Sequence, residues 1–194
     1  MCPPERPYVH PDAGNFCDCL DNPKQTNVID MDPSRKSLRI KDYDYSQPGG
    51  YFITICTQNK YCFFGAIKQN EMILNAAGQM AQEEWDGLTL RFKNTSLDRS
   101  IIMPNHMHAV ILVEEKDTKV NLGSIIQAYK SITTNKYIHG VRNKDWLPFS
   151  KRLWQRNYYE HIIRNDQDLE LIREYIMTNP QKWEKDRFHP VFGK

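Results

Sequence analysis

Between residues 38 and 180 the apolar positions change period several times, and each change predicts an element. After Pro48-Gly49-Gly50, residues 51–57 (YFITICT) are aromatic and β-branched, as a strand requires. Residues 63–74 predict a hairpin or short strands with Lys68-Gln69-Asn70 at the polar tip. Ala77, Met80, Ala81, Leu88 and Phe92 then recur at helical spacing, which predicts one amphipathic helix over 76–92. Two further β-rich runs, 96–103 and 106–113, meet at Pro104-Asn105, a turn or bulge candidate. Leu122, Ile125, Ile126, Tyr129, Ile132 and Thr133 define the face of a second helix, with Gln127, Lys130 and Asn135 outward. Residues 153–164 predict a last strand, and 166–179 a last helix, acidic in its first turn and closed by Pro180. A hairpin and a strand pair break the alternation of strands and helices, which disfavours a doubly wound parallel sheet. The order predicts an α+β fold, a ferredoxin-like split βαβ with a largely antiparallel sheet and helices on one face.

Residues 1–37 lack this periodicity. Six of the chain's 11 prolines lie there among Asn, Asp and Gly, so an irregular N-terminal arm is expected before a domain over 38–194. The arm holds Cys2, His10, Cys17 and Cys19, but Cys-x-Cys is tighter than the usual zinc spacing, and a metal site is disfavoured there. The chain has 194 residues, enough for one ordinary domain and an extra segment. Its longest apolar run, 109–113, is far short of the roughly 20 residues of a membrane span. No apolar h-region follows the first Arg, so no secretory signal is expected, and five scattered cysteines suit the reduced thiols of a cytoplasmic protein.

Net charge is only +2, but it is unevenly spread. Residues 118–164 hold nine basic side chains against two acidic ones, a local +7 that leaves −5 for the remainder. Seven aromatics lie among those charges. Cations neutralise phosphates and aromatic faces stack on unpaired bases, so the stretch suits single-stranded nucleic acid, although a solvated basic face over an aromatic core has the same composition. Lys130, Lys136, Arg142, Arg152 and Arg156 are the candidate backbone contacts, with Trp154 the candidate stacking residue.

The densest chemistry is in Met103-Pro104-Asn105-His106-Met107-His108. Side chains alternate along a strand, so His106 and His108 emerge on one face and could chelate one cation; they could equally be half-exposed polar residues at a strand start. On the last helix Tyr175 and Asn179 are four apart and share a face with neighbours Leu171, Ile172 and Ile176. An Asn in that arc needs a partner, since an unsatisfied buried amide costs about 1–3 kcal/mol. Alternatively Tyr175 is a core aromatic and Asn179 a helix cap before Pro180. Periodicity does not choose between these.

Pro104-Asn105-His106-Met107-His108 resembles the HUH motif of single-tyrosine transposases. Tyr175-Ile176-Met177-Thr178-Asn179-Pro180 resembles the nucleophile helix of the REP-associated tyrosine transposases. The similarity runs from about Leu38 to Trp183 and takes in Asp42-Tyr43-Asp44-Tyr45-Ser46, Ala128-Tyr129-Lys130-Ser131 and residues 154–161; the arm lies outside it. Related insertion-sequence transposases carry Gln where Asn179 stands, and the Asn-Pro pair favours the REP-associated branch. The resemblance implies a metal-dependent enzyme that cuts and rejoins single-stranded DNA, commonly beside a hairpin. It implies His106, His108 and Asn179 as metal ligands and Tyr175 as nucleophile, forming a covalent 5′-phosphotyrosine. Mixed imidazole and amide ligation with open positions suits Mg²⁺ or Mn²⁺. Tyr158 and Tyr159, on the presumed strand, are rival nucleophiles for which stacking or packing is the simpler role. Relatives that trade helices between subunits and relatives that act alone share these motifs, so monomer and homodimer are both compatible. A non-catalytic ferredoxin-like module binding single-stranded nucleic acid, and a metal-dependent hydrolase using water, remain the alternatives.

Overall fold

A computed structural model describes residues 47–114 and 121–190. The arm, with Cys2, His10, Cys17 and Cys19, and the 42–46 run lie outside the described residues. Strand β1 (Gly49–Cys56) is the centre of the sheet. It pairs antiparallel with β5 (His106–Val113) on one side and β6 (Tyr159–Ile163) on the other, and β4 (Thr95–Ile102) adds antiparallel to β5. The order β4-β5-β1-β6 makes β1 and β4 run parallel with β5 between them, and β5 and β6 run parallel with β1 between them. Those are the two interleaved split βαβ units that the element order predicts. The first crossover contains the hairpin β2–β3 (Gly65–Lys68 and Glu71–Leu74), α1 (Ala76–Asp86) and the short α2 (Leu88–Arg91). The second is α3 (Leu122–Asn143), and α4 (Asp166–Thr178) follows β6.

Local chemistry sets most of these boundaries. Gln69 and Asn70, at φ 51° and 64°, form the two-residue hairpin tip, the left-handed pair that matches strand twist. Asn75, Asn121 and Asn165 each cap a helix by accepting a main-chain N–H, and Asn121 with Ser124 completes a reciprocal capping box. The single helix expected over 76–92 is instead α1 and α2, divided at Gly87. Helix α3 runs ten residues past Thr133, the last residue of its predicted face, to Asn143. Near its end Trp146 lies flat on Gly140, where a Cβ would fall 2.2 Å from the indole. The strand expected over 153–164 shrinks to five residues. Before it, the carbonyls of Gln155, Arg156 and Asn157 all turn to accept from Lys130 Nζ rather than joining the ladder.

Period-2 alternation gives the sheet two unlike faces. Tyr51, Ile53 and Ile55 of β1 and Met107, Ala109 and Ile111 of β5 are fully buried against Ala77, Ala81 and Trp85 of α1 and Leu122, Ile125 and Tyr129 of α3. Trp85 and Tyr129 meet edge to face at 5.4 Å. The expected placement of helices on one face thus describes the two crossover helices α1 and α3. Helix α4 lies across the opposite face, where Tyr175 sits edge-on to Phe52 at 5.9 Å, because it follows the last strand and is not bound to a crossover. No helix among the described residues is long and apolar enough to cross a membrane.

Candidate active site

On the α4 face, β1 presents Phe52, Thr54 and Cys56 and β5 presents His106 and His108, with Thr54 paired to His108 and Cys56 to His106. Both imidazoles are fully buried, and their Nε2 atoms are 3.1 Å apart. The Asn105 amide decides the tautomer of His106. Asn105 donates its Nδ2 hydrogens to the carbonyls of Lys60 (2.9 Å) and Phe188 (2.8 Å), which leaves its Oδ1 facing His106 Nδ1 at 2.8 Å. An amide oxygen can only accept, so His106 carries its proton on Nδ1 and offers a bare lone pair on Nε2. His108 Nδ1 lies 2.8 Å from Thr54 Oγ1, a group able to accept from it in the same way. With both protons on Nδ1, two Nε2 lone pairs this close would call for a cation between them. Burial, with the neighbouring Arg187 charge, pushes the His108 pKa down to about 3, and burial with the facing imidazole lowers His106 well below 6.5. The pair is therefore neutral at pH 7, the state in which imidazole binds metals.

Helix α4 closes the site. Ile172 and Ile176 are buried and the Tyr175 hydroxyl lies 3.3 Å from His108 Nε2, with the rings edge to face at 5.1 Å. The pair Arg173–Asp98 ties α4 to β4, and His161–Asp168 (2.9 Å) ties it to β6. Burial, reinforced by the Asp186 charge, pushes the Tyr175 phenol up to about 12. Asn179 is buried one turn further on, and its Oδ1 has no hydrogen-bond partner among the described residues. The sequence reasoning missed a further group, since Asp186, after the 3-10 turn Pro180–Lys185, brings a carboxylate oxygen within 4.8 Å of both histidine donors. Nothing periodic marks it within Glu184-Lys185-Asp186-Arg187; Thr54 was more visible, as a hydroxyl inside an otherwise apolar strand. A bare imidazole nitrogen, an orphaned amide oxygen and a buried carboxylate together are a donor set that fits a divalent cation.

Other candidates fare differently. Trp154 does not offer a stacking face: it is 4 % exposed, stacked on Phe64 at 5.0 Å, and donates its indole N–H to Thr133 Oγ1. Lys130 is committed to its three carbonyls and Lys136 is ion-paired with Glu84, whereas Arg142, Arg152 and Arg156 are exposed. Tyr158 is buried beneath Lys130 Nζ, and Tyr159 contacts Phe188 and Arg187.

Residues 51–179 match the family model described as "Transposase IS200 like", which spans both the histidine pair and Tyr175. The chain belongs to this transposase family. An uncharacterised protein of Haemophilus influenzae is 36% identical over 174 residues, covering 80% of this chain and 93% of its own. A second Haemophilus influenzae protein, provisionally named a REP-associated tyrosine transposase, is 28% identical over 142 residues, 72% of this chain and 74% of the relative. Among solved structures, a REP-associated tyrosine transposase bound to a REP hairpin shares the fold with a TM-score of 0.51 at 22% identity, covering 74% of each chain. Membership makes this chain a DNA-processing enzyme of the transposase type.

Proposed function

We propose that the chain is a metal-dependent endonuclease and strand transferase for single-stranded DNA beside a hairpin, acting through a 5′-phosphotyrosine on Tyr175. The approach of the Tyr175 hydroxyl to within 3.3 Å of His108, on the bare-nitrogen side of a buried imidazole pair, carries this reading. His106, His108 and Asn179 would hold Mg²⁺ or Mn²⁺. Such an ion would supply charge to offset the non-bridging oxygens of the scissile phosphate. The Tyr175 oxygen attacks phosphorus, a P–O(Tyr) bond forms and the P–O3′ bond breaks. The phenolic proton leaves Tyr175, and the departing 3′-oxygen takes up a proton. One phosphoester replaces another, so the reverse attack by a 3′-hydroxyl rejoins strands without ATP. A passive binding module has no use for a phenol aimed at two buried imidazoles. Within one chain β5 supplies His106 and His108, α4 supplies Tyr175 and the residue capping it supplies Asn179, an arrangement that supports a monomer able to act alone. A hairpin partner is supported by the shared fold and by the exposed Arg142, Arg152 and Arg156.

A hairpin oligonucleotide with a single-stranded flank, incubated with the protein and Mg²⁺ or Mn²⁺, should give a protein–DNA adduct stable in denaturing gels. Tyr175→Phe should abolish the adduct while retaining binding, and Tyr159→Phe should keep it. An adduct surviving in Tyr175→Phe would move the nucleophile elsewhere, and cleavage without any adduct would favour a hydrolase.

A further inference from the structure

We propose that Asp186 is an additional, charge-compensating ligand of the ion held by His106 and His108, so that metal binding fastens the segment after α4 onto the sheet. This rests on the reading of those histidines as ligands. Among the described residues Asp186 is the carboxylate that comes within 4.8 Å of both histidine donors, whereas the imidazoles and the Asn179 amide carry no negative charge. A hard dication bound by two histidines that have no exposure gives up part of its hydration shell and is stabilised by a fixed negative partner. Here that need is sharpened by Arg187 and Lys60, whose positive charges are felt at His106.

Asp186 is placed for the role, with a side-chain hydrogen bond from Asn179 but no cationic partner at ion-pair distance among the described residues. It is 7 % exposed. Its Oδ1 accepts the Phe188 N–H at 2.6 Å, which orients the carboxylate as second-layer bonds orient metal ligands. Turn formation alone would explain that bond, but not the convergence of the carboxylate on two imidazole nitrogens. The same segment lays Phe188 and Trp183 on the His106 ring, at 4.8 Å and 6.0 Å between centroids. Ligation by Asp186 therefore couples ion binding to the position of both aromatic rings. The backbone flanking Asp186 carries Lys185 and Arg187, two exposed tryptic sites, which makes the coupling measurable.

The test uses the full chain, treated with chelator and titrated calorimetrically with MnCl₂ or MgCl₂ in the absence of DNA. Asp186→Asn keeps the acceptor for the Phe188 N–H and removes only the charge. It should weaken binding about tenfold or more. In the wild type, Mn²⁺ should slow tryptic cleavage after Lys185 and Arg187, and in Asp186→Asn it should not. Equal metal affinity in the variant would overturn the proposal, as would a wild type that binds metal without gaining protection, an outcome that does not depend on the variant folding. A wild type that binds no metal, or binds it as well after His106→Ala, would instead overturn the underlying reading of the histidine pair.

Discussion

The two faces of β1 and β5 are made from the same strands by the same alternation, yet they do opposite work. Ile53 points into the hydrophobic layer that holds Trp85, Tyr129 and Ile125, where aliphatic and aromatic packing dominates and the Tyr129 hydroxyl is matched by the Ala81 carbonyl. The adjacent residue, Thr54, points to a layer where His108, Tyr175, Asn179 and Asp186 meet and polar contacts set the arrangement. A single residue of register thus separates the hydrophobic layer from the polar one, and the large apolar cluster is on the side away from the histidine pair. The chemical face carries the cost of burying polar groups because the apolar face supplies the surplus.

Substitutions at neighbouring positions should break that division most clearly. Ile53→Ala should cost about 2–5 kcal/mol in a urea denaturation, by lost burial and the cavity it leaves, while the adduct yield of the folded fraction stays unchanged. Acid should act on the other face. The folded pKa of each imidazole lies below its unfolded value near 6.5, so the unfolded chain takes up protons that the fold excludes. Stability is then full above pH 6.5 and is lost as pH falls from there toward about 3 for His108, at up to about 1.4 kcal/mol per pH unit for each imidazole. Urea midpoints measured in chelator at pH 7 and pH 5 should show the fall, and His108→Gln should flatten it where Ile53→Ala shifts the curve bodily. Smaller still, Thr54→Val keeps the shape but deprives His108 Nδ1 of its partner, and should weaken metal binding about 10–100-fold by calorimetry. Least of all, Arg152→Ala should leave stability and chemistry alone and flatten the salt dependence of DNA binding by about one unit or less.

Strongly periodic segments were legible in the sequence. The alternation of 106–113 was enough to place His106 and His108 on one side, and the four-residue spacing of Tyr175 and Asn179 was enough to place those two together, because both are consequences of backbone geometry within one element. The breaks were less legible. Gly87 divides a helix whose apolar stripe continues through it, and residues 153–158 have the composition of a strand, but the carbonyls of Gln155, Arg156 and Asn157 go to Lys130. Trp154 misled for the same reason: an aromatic between basic residues reads alike whether it faces base or core, and only Phe64 and Thr133 decide it.

Backbone periodicity alone dictates which side chains leave each strand and helix together, and hence that an imidazole pair and a phenol–amide pair exist as units. Long-range packing carries α4 across the face away from α1 and α3, so that the two pairs meet within one chain, and turns Asp186 back upon them. Periodicity is a property of a few consecutive residues. Convergence depends on contacts such as Arg173 with Asp98, 75 positions away in the chain, whose energies no local pattern contains.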